Sequence, residues 1–455
     1  QTWVEERVCK KKVRENGLER GVGVENESFS ELVLRLFHTE LEAVFEEFNR
    51  GQDNDYRKQY AAMLKGLFPN HPYGQQSTIG TSEHLKNPSM IAIHNYFQKY
   101  YVPNNMALVL VGDLDFDETI KMVEKTMGTL KYKAVEHPVL PKEKPITKPV
   151  VLEVFGPTAE SVSVAFRSEG IGSKEAQLLT MADMLLANGT AGLIDLNLNQ
   201  KQVVQRASCS PTFLNDYGYH SFSGTPKANQ SLDEVKGLLL GEIEKLKQGK
   251  FEDWMLEAVI NDLELSQTRQ YENSSALATA YYDAFIHHEE WKDKVSFISE
   301  LRKITKQEIM DFAKGFYKEN YVVTYKRKGE DKTISKVENP GITPVELNRD
   351  KQSTFIADFN KKQSKAIKPV FVDYDQKIKK KKLSNGLELS YIENETNDLF
   401  NLSIILDMGK NSIKKMSHAV SYLQYVGTDK YSPEEIQKEF YKLGVSYGVS
   451  AGGER

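Results

Sequence analysis

Glu40 and Glu47 stand seven residues apart in LRLFHTELEAVFEEFNRG, two turns of an α-helix, so both carboxylates project from one helical face. The same face carries Phe37 and Val44, which should pack inward. A carboxylate on a core-facing stripe must be paired or bound to a cation, because an isolated buried charge is very costly. The competing reading is a charged helix whose Glu40, Glu42, Glu46 and Glu47 are simply solvated, and the helix alone leaves both open. The nine histidines do not decide it. None flanks a glutamate in H-E-x-x-H or H-x-x-E-H spacing. His287 and His288 are adjacent and point in different directions, as a surface pair does, and His71 in NHPYG belongs to a turn. Serine nucleophile elbows, phosphate loops and dinucleotide fingerprints are absent, and the Gly-x-Gly at 21–23 has no strand before it.

The element that positions the two glutamates starts at a Ser28/Glu31 capping box. Apolar residues then recur at three- and four-residue steps to Phe48, and Asn49, Arg50 and Gly51 stop the helix. A second helix is expected near 56–66, a Pro/Gly-rich loop at 68–81, and a further helix from Asn87–Pro88 to about Tyr100. Met106–Val111 reads as a buried strand and about 116–127 as a helix. Lysine and the prolines Pro138, Pro141 and Pro145 make 132–149 a surface linker. Beyond it, strands are expected at 150–155, 161–167, 217–224 and 321–327. Helices are expected near 173–188, 231–248, 251–270, 273–288 and 305–318. Residues 328–378 read as a charged connector ending in a lysine run, with fresh strands at 387–392 and 402–408.

A repeat underlies this order. At a constant offset of 215, Phe97 matches Phe312, Lys99 matches Lys314, Tyr101 matches Phe316 and Asn105 matches Asn320, and an apolar stretch follows both copies. Ser82-Glu83 and Ser299-Glu300 are read as opening the two helices. Composition fits a duplicated globular chain: 40% hydrophobic, 27% charged, mean hydropathy −0.51. A net charge of −4 argues against a nucleic-acid binder. No stretch approaches the length of apolar sequence a membrane helix needs, the first twenty residues lack a signal peptide's apolar core, and two cysteines make no disulfide framework.

Three blocks, FHTELEAVFEEFNRGQDND, NHPYGQQSTIGTSEHLKN and FQKYYVPNNMALVLVGDLDFDETIKMVEKTMGTL, in this order and spacing resemble the second part of an insulinase/pitrilysin-type (inverzincin) zinc metallopeptidase domain. Residues 150–327 resemble the family's following non-catalytic domain. Residues 383–455, with LSNGLELSYIENETND, resemble the opening of a third homologous domain. The resemblance implies an α+β fold of repeated homologous domains, each a mostly antiparallel sheet packed against helices. The expected organisation is 1–27 unassigned, 28–131 the C-terminal part of a catalytic-type domain and 132–149 a linker. Then come 150–327 as a second, non-catalytic domain, 328–379 as a connector and 380–455 as a truncated third domain.

In that family zinc is held by the histidines of H-x-x-E-H and by a downstream glutamate. The resemblance gives Glu47 as that metal ligand and Glu40 as the supporting carboxylate that orients a zinc-bound histidine. Only 46 residues precede Glu47, whereas the histidine motif should lie about seventy before it, so the general base is expected upstream of Gln1. The implied activity is a zinc-dependent metalloendopeptidase enclosing a peptide or small unfolded protein between two halves, one of which can be a separate subunit. The chain as given is a fragment expected to be inactive and to hold no stoichiometric zinc by itself, since one carboxylate binds the ion weakly. The alternatives are a non-catalytic peptidase-like partner subunit that binds peptides and a purely structural repeat. The sequence does not fix the compartment; the resemblance is compatible with a soluble complete parent, periplasmic or secreted.

Overall fold

A computed structural model describes residues 41–86, 88–332, 334, 336–338, 352–363 and 368–454 of the chain. Its contacts divide it into one unit of Gln1–Ile342 with His418–Ser450 and another of Thr343–Ser417 with Ala451–Arg455.

The first unit opens with helices α1 (residues 41–52), α2 (Asp55–Leu67), α3 (Met90–Tyr100) and α4 (Phe116–Met127). A five-stranded sheet follows from β1 (Val150–Gly156), β2 (Ser161–Glu169), β3 (Arg206–Phe213), β4 (Tyr217–Thr225) and β5 (Tyr321–Lys328). The strand order is β1-β5-β2-β4-β3, and only β1 and β5 run parallel. Between the strands lie α5 (Lys174–Leu186), α6 (Leu232–Lys247), α7 (Trp254–Tyr271), α8 (Ser274–Ile286), α9 (Trp291–Leu301) and α10 (Lys306–Phe316). Their starts are chemically marked: Ser231 with Glu234 and Thr305 with Glu308 form reciprocal capping boxes, and Ser173 caps α5.

Strand alternation gives the sheet two faces, and both are covered. Val162, Val164, Phe166, Phe222, Val323 and Tyr325 point into the main core under α5, α6 and α10. Ala165, Tyr219 and Val322 point the other way and meet Met63, Leu67 and Phe68 at and beyond the end of α2. A helix encoded before the linker thus closes the back of a sheet encoded after it. The linker is pinned there too. Buried Glu143 accepts hydrogen bonds from the backbone N–H of Asn70 and His71 at 2.6 and 2.7 Å, and its own N–H donates to the Tyr217 hydroxyl at 2.8 Å.

The 215-residue repeat has a structural counterpart. Phe97 stacks on Tyr101 with ring centroids 4.5 Å apart, and Phe312 stacks on Phe316 at 5.1 Å. Asn105 and Asn320 each donate a side-chain N–H to a carbonyl at the end of the preceding helix, Tyr100 and Phe316, at 2.9 and 3.1 Å. Downstream the copies part. Residues 321–328 form β5, but the expected strand Met106–Val111 is unpaired and largely exposed. A strand is made by its ladder, and among the described residues no strand lies beside this one. The expected strand at 402–408 is unpaired for the same reason. Ser299-Glu300 closes α9 instead of opening a helix; the start of α10 belongs to Thr305. Strand β3 and helix α9 were not expected from the sequence.

The second unit holds the helix Thr354–Lys361 and a hairpin of β6 (Lys379–Lys382) with β7 (Glu388–Tyr391). The lysine run therefore forms a strand. Gly386 makes the turn with φ +90°, a conformation that costs glycine least.

Candidate functional site

Helix α1 is anchored by Leu41, Val44, Phe45 and Phe48, which are buried against Leu85, Ile93, Phe97 and Val337. Asn49 fixes its end by a reciprocal pair with the Val337 backbone, donating to the carbonyl at 2.9 Å and accepting from the N–H at 2.8 Å. The burial stripe leaves Glu46 exposed and Glu47 half-buried at its margin, as the 100° between successive helical residues requires. Glu40 and His38 lie outside the described residues. The structure therefore fixes the environment of Glu47 but says nothing of the pair.

The other histidines stand apart. His71 is fully buried, caps Pro72–Gln75 by accepting from the Tyr73 N–H at 3.3 Å, and packs edge-on against Tyr73 and Tyr217. The turn role read from NHPYG is thus the observed one. The exposed His84 ring accepts from the Thr81 N–H at 3.3 Å, and His94 lies exposed on α3. His287 sits 2.6 Å from the Asn215 side-chain oxygen while His288 occupies a left-handed turn at φ 55°, so the adjacent pair diverges.

Among the described residues, three metal-capable donors converge at one place only, and sequence reading had not singled it out. Asp183 of α5, Cys209 of β3 and His220 of β4 hold their ligand atoms within 4.8 Å of one another. His220 is fully buried. Its Nε2 lies 2.9 Å from Asp183 Oδ1 and its Nδ1 2.7 Å from the Tyr317 hydroxyl. Burial pushes the Cys209 thiol well above its ordinary pKa, with Asp183 and Asp195 adding to the rise, and burial does the same to the Tyr317 hydroxyl. No spacing signals this group, since helix, edge strand and inner strand bring it together through sheet order.

The description "Peptidase M16 inactive domain" matches residues 91–263, from the start of α3 into α7. A zinc protease of Helicobacter pylori, PqqE, is 22% identical over 239 residues, 50% of this chain and 53% of that protein. The chain resembles the insulinase/pitrilysin-type, or M16, peptidases, the match to the family description lying within residues 91–263. Two solved structures share this fold. The structure of a protease from Helicobacter pylori has 18% identity and TM-score 0.60, covering 70% of this chain and 84% of that one. The periplasmic protease PqqL from Escherichia coli has 15% identity and TM-score 0.53, covering 94% and 51%. The chain thus spans about half the length of PqqE and of PqqL.

A zinc set is not assembled around Glu47 by the described residues. No second and third donor gather with it, and a single carboxylate does not make a zinc site. Among the described residues no helix is long and apolar enough to cross a membrane.

Proposed function

We propose that this chain is part of a zinc-dependent M16 metalloendopeptidase and that Glu47 is one of its metal ligands. The resemblance to M16 peptidases together with the place of Glu47, on the margin of a helix locked into a core at 41–48, carries this reading. Glu40 is proposed as the neighbouring carboxylate that orients a ligand histidine, and both histidines and general base come from outside the described residues. Residues 150–327 act as the non-catalytic wall of the chamber. The substrate is a peptide or small unfolded protein, enclosed when two peptidase-like halves meet, and PqqL's periplasmic setting supports the same compartment here.

A second reading, a non-catalytic M16 partner subunit, is favoured by one observation: the matching family description is the inactive type. The two readings separate in a protein that carries this chain together with an H-x-x-E-H segment. There Glu47→Gln keeps shape but removes the anionic donor, so zinc content by atomic absorption and peptidase rate should fall together. Glu40→Gln should lower both by about 10–100-fold, and Glu46→Gln by little. If Glu46→Gln abolishes zinc binding, the helix register is off by one; if none of the three matters, the metal assignment of this helix fails. If the unaltered protein binds no zinc and cleaves nothing, the partner-subunit reading replaces the peptidase.

A further inference from the structure

We infer that Asp183, Cys209 and His220 form a binding site for a zinc-type divalent cation in the sheet domain, separate from the helix of Glu47. The donor set is thiolate, imidazole and carboxylate, each a group that binds zinc, and three protein ligands leave one open position. Charge favours it as well. A thiolate and a carboxylate cancel a dication, and the imidazole binds neutral, so the occupied site carries no net buried charge.

Geometry needs little movement. Ligand atoms about 2.0–2.3 Å from a tetrahedral zinc lie about 3.3–3.5 Å apart. The closest pair, His220 Nε2 and Asp183 Oδ1 at 2.9 Å, opens by a few tenths of an ångström, and the widest closes from no more than 4.8 Å. The far nitrogen of His220 already rests on Tyr317, the outer partner that fixes a metal-binding imidazole in tautomer and orientation. Access is from the sheet edge. β3 is the outermost strand, Cys209 is half-buried, and the Asp183 side chain retains 13% of its exposure.

Occupancy would tie edge strand β3 and inner strand β4 to helix α5. The fourth position belongs to water. Binding converts Cys–SH and the cation to a metal thiolate and releases one proton. The charged and titratable groups facing Cys209 are Asp183 of α5, Asp195 of the π-helical segment Asp195–Gln200, His220 of β4 and Tyr317. With the thiol protonated at rest, apparent affinity should rise about tenfold per pH unit. This runs against the expectation from the sequence that the chain holds no stoichiometric zinc: at this site the stoichiometry becomes one.

The test is titration of the purified 455-residue chain with cobalt(II) and with zinc. One equivalent of cobalt should give a thiolate-to-cobalt band in the near ultraviolet. Cys209→Ser should remove it, Cys9→Ser should leave it, and Tyr317→Phe should weaken zinc by about 10–100-fold. In the unaltered chain, zinc should shield Cys209 from a thiol reagent, read by peptide mass spectrometry without any substitution. No band and no shielding in a chain with native circular dichroism would reduce the cluster to a hydrogen-bonded core triad. A band that survives Cys209→Ser, or vanishes with Cys9→Ser, would overturn the site equally.

Discussion

Removing the ammonium of Lys326 should destabilise the sheet domain by about 3 kcal/mol, because it strips the buried Asp55 carboxylate of its nearer and buried cation, leaving only Lys58 at 3.6 Å. Lys326 reaches across the back of the sheet, 2% exposed, to Asp55 at the start of α2, with 3.0 Å between Nζ and Oδ2. Its other protons go to Thr158 and Ala159. Asp55 Oδ2 also accepts from the Thr158 N–H at 3.0 Å and hydroxyl at 2.6 Å, whereas Oδ1 has only Lys58 Nζ at 3.6 Å. Burial by itself would raise the Asp55 pKa, but the bonds from Thr158 and Lys326 outweigh it and bring the carboxyl from its ordinary 3.8 to about 2. A carboxyl that binds its proton more weakly when folded stabilises the fold above its unfolded pKa and loses that contribution as pH falls through the folded one. The gap between 3.8 and about 2 is worth about 2.5 kcal/mol, most of it lost between pH 5 and pH 2. Urea unfolding followed by the fluorescence of Trp254 and Trp291, with hydrogen exchange at α2 and β5 amides, reads both effects. Lys326→Met should lower the midpoint strongly, and Lys326→Met with Asp55→Leu should recover much of the loss. The advantage of the unaltered chain over Asp55→Asn should shrink by about 2 kcal/mol from pH 5 to pH 2. A loss below about 1 kcal/mol for Lys326→Met, or an Asp55→Asn difference insensitive to pH, would refute the account of this pair.

Gly156→Ala should cost about 1–3 kcal/mol in the same unfolding assay, because a Cβ there would overlap the Asp55 carboxylate. Thr305→Ala removes half of the capping box of α10 and should cost about 1 kcal/mol, read as a lower thermal midpoint. Phe312→Ala should cost about 1–3 kcal/mol, because its half-buried ring packs on Phe316 and Tyr317 against the main core; no measurable loss would contradict this. The chain alone should show no chelator-sensitive cleavage of an unstructured peptide; such cleavage would mean that ligands exist among its own histidines.

Most helices were legible because their signals are local. Amphipathic spacing and a Ser, Thr or Asn cap mark α2, α5, α6 and α10. Strands at 150–155, 161–167, 217–224 and 321–327 were legible as runs of apolar and β-branched residues. β3 was not: RASCSPTF lacks alternation and contains Pro211, which an edge strand tolerates and an inner one does not. Met106–Val111 shows the converse, a strand pattern without a ladder. Of the helix expected over 28–50, residues 41–50 are helical and keep the apolar spacing, while Glu40 and the Ser28/Glu31 cap lie outside the described residues. Asp183, Cys209 and His220 were not legible, since they are 26 and 11 residues apart and meet only after β3 pairs with β4.

Where β5 sits governs the order in which this domain can assemble. β1 has one neighbour in its sheet, and that neighbour is the last strand of the domain to be synthesised. From Gly156 the ribosome must add 172 residues before Lys328 emerges. At roughly 5–20 residues per second, β1 waits about 10–30 s with an open edge. Meanwhile β2 and β4, adjacent in the finished sheet, can pair, but the gap beside β2 stays vacant until β5 slides between two strands already made. Folding of this domain is therefore a late, all-at-once closure. An interruption of translation between 225 and 321 would release a chain with two unsatisfied strand edges, the species most prone to pair with another copy of itself.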